Sequence, residues 1–171
     1  MKILAIDPGS TESGFVVFCT TTSSCGTEAC GYNKVISFGK IKNKDVLKLT
    51  GHDLVLIEKP DFLSLGVGRT VIEAIFWAGR FHQAFNGSIT YGRSYLKRTY
   101  GLKNDSAVIA FIKQEYPGIH LTKDSWQAML LVHAYQNNVI DTEKTFNKKK
   151  KKVKKKKPVK KIITTDLELF S

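Results

Sequence analysis

The sequence predicts an α/β fold, a five-stranded mixed sheet with helices packed against it. Three observations point there. Apolar runs of strand length recur at residues 2–6, 14–20, 33–41, 53–58 and 88–91. Segments with helical apolar spacing follow the fourth and fifth of these runs. The chain has 171 residues, 42% of them hydrophobic, enough to fill one core but not two.

The first strand, KILAI, is apolar almost throughout and ends on Asp7. Pro8 and Gly9 then turn the chain into GFVVFCT, the second strand. TTSSCGTEACG has no periodicity and reads as a loop, and NKVISFGKI reads as the third strand. The short connections predict an antiparallel meander. DLVLIE forms the fourth strand and stops at Pro60. A helix from Arg69 to Phe85 follows, with Val71, Ile75, Ala78, Gly79 and Phe85 at helical spacing. Gly79 costs helix propensity but permits close packing. SITY at 88–91 is the fifth strand, reached by a parallel, right-handed crossover. Asn104 or Asp105 caps the next helix, which ends before Pro117-Gly118. The last helix runs from Thr122 to about Asn138.

Beyond residue 142 the composition changes. Eleven of the charges behind the net +12 are lysines between Lys148 and Lys161, which leaves the rest of the chain at +1. This divides the chain into a folded domain (1–142), a disordered Lys-rich tail (143–161) and a possible docking peptide (162–171). A lysine block of this kind suits a polyanion such as nucleic acid, because each phosphate it neutralises releases counterions. No run of about 18 apolar residues exists, so no spanning helix is expected. KILAI is cut short by Asp7 and Pro8, too early for a secretory signal. A soluble intracellular protein is the expectation. Cys19, Cys25 and Cys30 fit neither a zinc spacing nor a disulfide scaffold, and His52, His82, His120 and His133 are scattered.

The chemistry lies in the acids. Ile3, Ala5 and Asp7 alternate onto one side of the first strand, and Leu54, Leu56 and Glu58 onto one side of the fourth. If these strands are parallel neighbours, both carboxylates emerge at the same sheet edge, where ligands of open α/β sheets bind. Two such acids repel unless a cation sits between them, and oxygen ligands select Mg²⁺ or Mn²⁺. Asp124 stands in the first turn of the last helix, with Gln127 at i+3 on the same face. Asp7, Glu58 and Asp124 thus make a candidate site for two divalent ions. Each acid alone also fits a bland role: turn chemistry for Asp7, a solvated strand end for Glu58, a helix-start acid for Asp124.

ILAIDPGSTESGF resembles the opening motif of RuvC-type Holliday-junction resolvases, within the RNase H-like superfamily. VLIEKP resembles that family's second acidic strand, and TYGRSYLKRTYGLKNDSAVIAFI the stretch around its catalytic lysine, which falls on Lys97. TKDSWQAMLLVHAY resembles its last catalytic helix. The resemblance spans Met1 to about Tyr135, and the divergent middle suggests a phage or viral version. Gln127 departs from the pattern, standing where the family has a second acid before Ala128.

The resemblance implies an RNase H-like fold and metal-dependent endonuclease cleavage of four-way DNA junctions in recombination and repair. It implies Asp7 bridging two ions, Glu58 and Asp124 each holding one, and Lys97 neutralising charge on the scissile phosphate. Arg93, Arg98 and Lys103, with Tyr95 and Tyr100 between them, form a basic stretch with aromatics that suits DNA. The tyrosines fit the core equally well. A homodimer would match the two strands of a junction, and the helix around Phe76, Trp77, Phe81 and Phe85 offers a surface for it. Leu167, Leu169 and Phe170 resemble a sliding-clamp docking peptide, with Asp166 in place of its usual Gln. Other readings are a general RNase H-like or branched-DNA nuclease and an inactive branched-DNA binder. The DPGST turn also resembles the phosphate turn of sugar kinases and actin-like ATPases, but those need two lobes and about twice this length.

Overall fold

A computed structural model describes residues 1–20, 33–61 and 68–139. Cys25, Cys30, the Lys-rich segment and the C-terminal peptide lie outside the described residues. The strands are β1 (Lys2–Asp7), β2 (Glu12–Cys19), β3 (Lys34–Lys42), β4 (Leu54–Lys59) and β5 (Ile89–Gly92). The helices are α1 (Asn43–Val46), α2 (Arg69–Ala84), α3 (Arg93–Thr99), α4 (Asp105–Glu115) and α5 (Ser125–Gln136).

The five strands form one sheet in the order β3-β2-β1-β4-β5. The β1–β2 and β2–β3 pairs are antiparallel, as the meander required. The β4–β5 pair is parallel, as the helical crossover required, and β1 pairs with β4 in parallel, which meets the condition for Asp7 and Glu58 to share a sheet edge. Two helices escape the sequence pattern. With four residues α1 is too short to show a period, and RSYLKRT in α3 is too polar to show an apolar stripe.

Strand alternation divides the core between the two faces of the sheet. Ile3, Ala5, Val16, Phe18 and Leu56 pack on one face, against Val108 and Ile112 of α4 and against α5. Leu4, Ile6, Phe15, Val55 and Ile57 pack on the other, against Ala78 and Phe81 of α2 and Val46 of α1. Ser125 through Ala134 of α5 are all buried. A helix apolar on every side belongs inside, and α5 lies across β1, β2 and β4 with α4 against it. On α2 the suggested dimer surface is narrower than its sequence implied. Phe81 is fully buried and Trp77 and Phe85 pack against the same core, whereas Ile72 and Phe76 are exposed. Among the described residues no helix is long and apolar enough to cross a membrane.

Candidate active site

The parallel register of β1 and β4 sets Ile3 beside Leu54 and Ala5 beside Leu56. Two residues on, the same register carries Asp7 and Glu58 side by side at the carboxyl ends of both strands. Their side chains are 14% and 3% exposed. The guanidinium of Arg93 joins them. Its Nη2 donates to Asp7 Oδ1 at 2.8 Å and to Glu58 Oε2 at 3.3 Å, and its Nε donates to Glu58 Oε1.

Local structure explains how Arg93 arrives there. β5 runs parallel to β4 with Gly92 opposite Lys59, so the next residue begins α3 beside the Glu58 end. Asp61, just past Pro60, accepts a hydrogen bond from the Ser94 backbone N–H and so caps α3. Burial raises the pKa of Asp7 well above the usual carboxylate range, and the charge of Glu58 adds to this; Arg93 opposes both and is outweighed. Burial disfavours the charge on Arg93 too, but Glu58 and Asp7 together raise its pKa above the ordinary value.

The turn after Asp7 is held by two buried polar side chains. Ser13 Oγ accepts from Gly9 N–H at 3.3 Å and donates to Asn43 Oδ1 at 2.6 Å, and Asn43 Nδ2 donates to the Gly9 carbonyl at 3.1 Å. Gly14 pairs with Asp7 across the β1–β2 ladder. A Cβ at Gly14 would collide with the backbone carbonyl of Asp124. Glycine therefore lets the start of α5 approach the Asp7 end of the sheet. Ser125 fastens that start by donating to the Gly39 carbonyl at 3.2 Å.

Asp124 lines the same cavity as Asp7, Lys40, Asp61 and Arg93, with a volume of about 380 Å³. Its carboxylate faces Lys40 Nζ at 3.4 Å, with both side chains nearly half exposed. Gln127 is buried and donates from Nε2 to Asp105 Oδ1 at 3.0 Å. Asp105 also takes the Lys97 ammonium at 2.6 Å, which lowers its pKa. Asn104 caps α4 by accepting from Ala107 N–H at 2.9 Å, which leaves the Asp105 side chain available to Lys97 and Gln127. Arg98 and Lys103 are exposed. Tyr95 is half-buried against the core, and Tyr100 packs on Phe111 and His133.

The structure thus brings Asp7 and Glu58 together, sets Asp124 on the wall of the cavity that Asp7 lines, and sends Lys97 and Gln127 to Asp105. Arg93, expected on a DNA path, lies between the two acids. Sequence reasoning missed Asp105, Asp61, Lys40 and the Ser13–Asn43 pair. Asp105 carried a signal only as a possible helix cap, and nothing local ties Asn43 to a turn 34 residues earlier.

Among the described residues no group of three or more His, Cys, Asp or Glu side chains is arranged to hold a metal. Asp7 and Glu58 do fit one cation. They are hard oxygen ligands, buried and adjacent, and already share a positive group.

The sequence matches no family model and no curated protein. Solved structures do match. Thermus thermophilus RuvC aligns over 81% of this chain and 98% of its own, with a TM-score of 0.53 at 13% identity. The chain has the RuvC fold. T. thermophilus RuvC in complex with Holliday junction substrate aligns with a TM-score of 0.54 at 12% identity, over the same 81% and 98%. Fowlpox virus resolvase with its substrate Holliday junction DNA aligns at 15% identity over 82% of this chain and 99% of its own, with a TM-score of 0.42. The RuvC fold agrees with the RNase H-like mixed sheet expected from the sequence, and the two aligned RuvC structures span nearly their whole length.

Proposed function

We propose that this chain is a metal-dependent, structure-selective DNA endonuclease that resolves four-way junctions by phosphodiester hydrolysis. One observation carries the reading: two buried carboxylates, Asp7 and Glu58, share a positive partner at the carboxyl ends of adjacent parallel strands. The RuvC fold and the junction-bound state of one matching RuvC support the substrate class.

Asp7 and Glu58 would hold a divalent ion, and Asp124, on the wall of the cavity that Asp7 lines, would hold a second once released from Lys40. Bound there, Mg²⁺ or Mn²⁺ would supply Lewis acidity toward the phosphate and lower the pKa of water. Lys97 would set its ammonium against the scissile phosphate after leaving Asp105. Arg93, Arg98 and Lys103 would contact phosphates and fix register, with Tyr95 beside them. A homodimer through Ile72 and Phe76 of α2 would present two sites to two strands.

The test is cleavage of a labelled mobile four-way junction with Mg²⁺ or Mn²⁺, beside Asp7→Asn. Paired, symmetric nicks absent from the variant are the expected result. Asymmetric or single cuts on forks and flaps would point instead to a general branched-DNA nuclease. A second reading, a junction binder without catalysis, is favoured by Arg93 saturating the acid pair and by the neutral Gln127. Tight binding with no metal-dependent cuts would establish it.

A further inference from the structure

Arg93 occupies the position the proposed function gives to a divalent ion. Its contacts there are extensive: both acids accept from it, and Glu58 accepts from two of its nitrogens. This is fork recognition of Glu58, with a third bond that ties Asp7 to the same guanidinium. Arg93 is also held from behind, since Asp61 caps α3 at the adjacent Ser94 N–H. Yet the Arg93 side chain is 36% exposed, and it lines a cavity of about 380 Å³ shared with Asp7 and Asp124. The guanidinium thus has an exit, as Asp7 does in part, while Glu58 is closed off behind it.

We infer that Arg93 is the resident counterion of the Asp7–Glu58 pair, and that a divalent cation enters this site by exchange with its guanidinium. The inference rests on the metal reading above and adds to it a competition. Without Arg93 two buried carboxylates lie side by side, and their repulsion is relieved only by another cation or by a proton on one of them. With Arg93 in place, a metal must displace its three hydrogen bonds before both carboxylates can hold it together. The chain then folds with a neutralised site and binds metal weakly until Arg93 swings away. The freed guanidinium lies on the cavity wall, where its planar donors match a phosphate.

Two measurements test this on the full chain. The first is Mn²⁺ affinity by calorimetry for wild type, Arg93→Gln, Arg93→Lys and Asp7→Asn. Arg93→Gln should bind Mn²⁺ about tenfold tighter or more, because the competing charge is gone. Arg93→Lys should lie between, since one ammonium cannot fork across both acids. The second uses wild type alone, so it stands even if a variant misfolds. The Arg93 Nε–H should give a protected ¹⁵N-correlated signal that is lost as Mg²⁺ is added.

Equal Mn²⁺ affinity in wild type and Arg93→Gln, with binding abolished in Asp7→Asn, would overturn the exchange and leave the metal site standing. An Arg93 signal that persists through Mg²⁺ saturation would overturn it too. Absence of Mn²⁺ binding in wild type and in Arg93→Gln alike would end both readings, leaving Arg93 a permanent counterion in a junction-binding protein.

Discussion

The two halves of the candidate site are built differently. The strand half, Asp7 and Glu58, is buried, fixed by the parallel register of β1 and β4, and closed by Arg93. The helix half, Asp124, Asp105 and Lys97, stands further out, its acids paired with lysines that water reaches. Buried charges stay together only when each has a partner, so the strand half is geometrically committed by the fold itself. Exposed ion pairs contribute roughly 0–1 kcal/mol and exchange readily. The lesson is a division of labour: the sheet fixes where charge must be neutralised, and the helices offer groups that can be re-aimed when a polyanion arrives.

The largest expected effect tests whether the strand half carries the chemistry. Asp7→Asn or Glu58→Gln should lower junction cleavage by about 10²-fold or more, read as single-turnover rates at saturating enzyme. Asp124→Asn should cost less, because its carboxylate is only a wall of the cavity and already answers to Lys40. Equal losses in all three would erase the contrast between the halves.

The next effect concerns the joint between them. Gly14 lies opposite Asp7 in the β ladder and against the backbone of Asp124. Gly14→Ala sets a methyl group against main chain that cannot rotate away. It should destabilise the fold by about 1–3 kcal/mol, read from the urea midpoint at constant slope. Gly79→Ala is the control: close packing was expected at Gly79, but nothing lies within 4 Å of a Cβ there. It should be neutral or stabilising, as alanine is the better helix former.

These two glycines also mark how far the sequence could be read. Local signals sufficed for the strands: the apolar runs KILAI and DLVLIE each ended on an acid, and the turn residues fixed the meander, while the parallel pairing of β1 with β4 had to come from the fold. They sufficed for α5, whose unbroken apolar run has to be buried. They failed where contacts join distant segments. Arg93 sits 86 residues from Asp7 and Asp105 sits 22 from Gln127, and no spacing rule spans such gaps. A basic residue in a basic stretch reads as a nucleic-acid contact until the fold sets two acids beside it. Gly14 itself read only as the start of a strand, because the helix it accommodates lies more than a hundred residues later.

Acidity gives a third contrast, smaller in size. Burial and the charge of Glu58 raise the folded-state pKa of Asp7 above its ordinary value of 3.8. The native state therefore binds this proton more tightly than the unfolded chain. Its contribution to stability is complete below about pH 4 and is lost as pH rises through the folded value. Asp7→Asn removes that loss. Melting temperatures measured without metal should converge for wild type and Asp7→Asn at low pH and separate in favour of the variant as pH rises. Added Mg²⁺ should narrow the gap for wild type alone. A gap that does not change with pH would mean that Arg93 neutralises Asp7 fully.

The smallest effect belongs to the helix half. Lys97 Nζ and Asp105 Oδ1 lie 2.6 Å apart, but the Asp105 side chain is 57% exposed. Water screens such a pair, so Lys97→Ala should change stability by about 1 kcal/mol or less. Its effect on cleavage should be larger than its effect on folding, because the ammonium is the group proposed to meet the phosphate. Asp105→Asn separates the two roles. It weakens the hold on Lys97 yet leaves an amide oxygen to accept from Gln127, so folding should hardly change. Cleavage should stay the same or rise as Lys97 is freed. If Asp105→Asn instead lowers cleavage as far as Lys97→Ala does, Asp105 positions Lys97 rather than restraining it. The helix half would then be as preorganised as the strand half, and the division of labour between sheet and helices would fail.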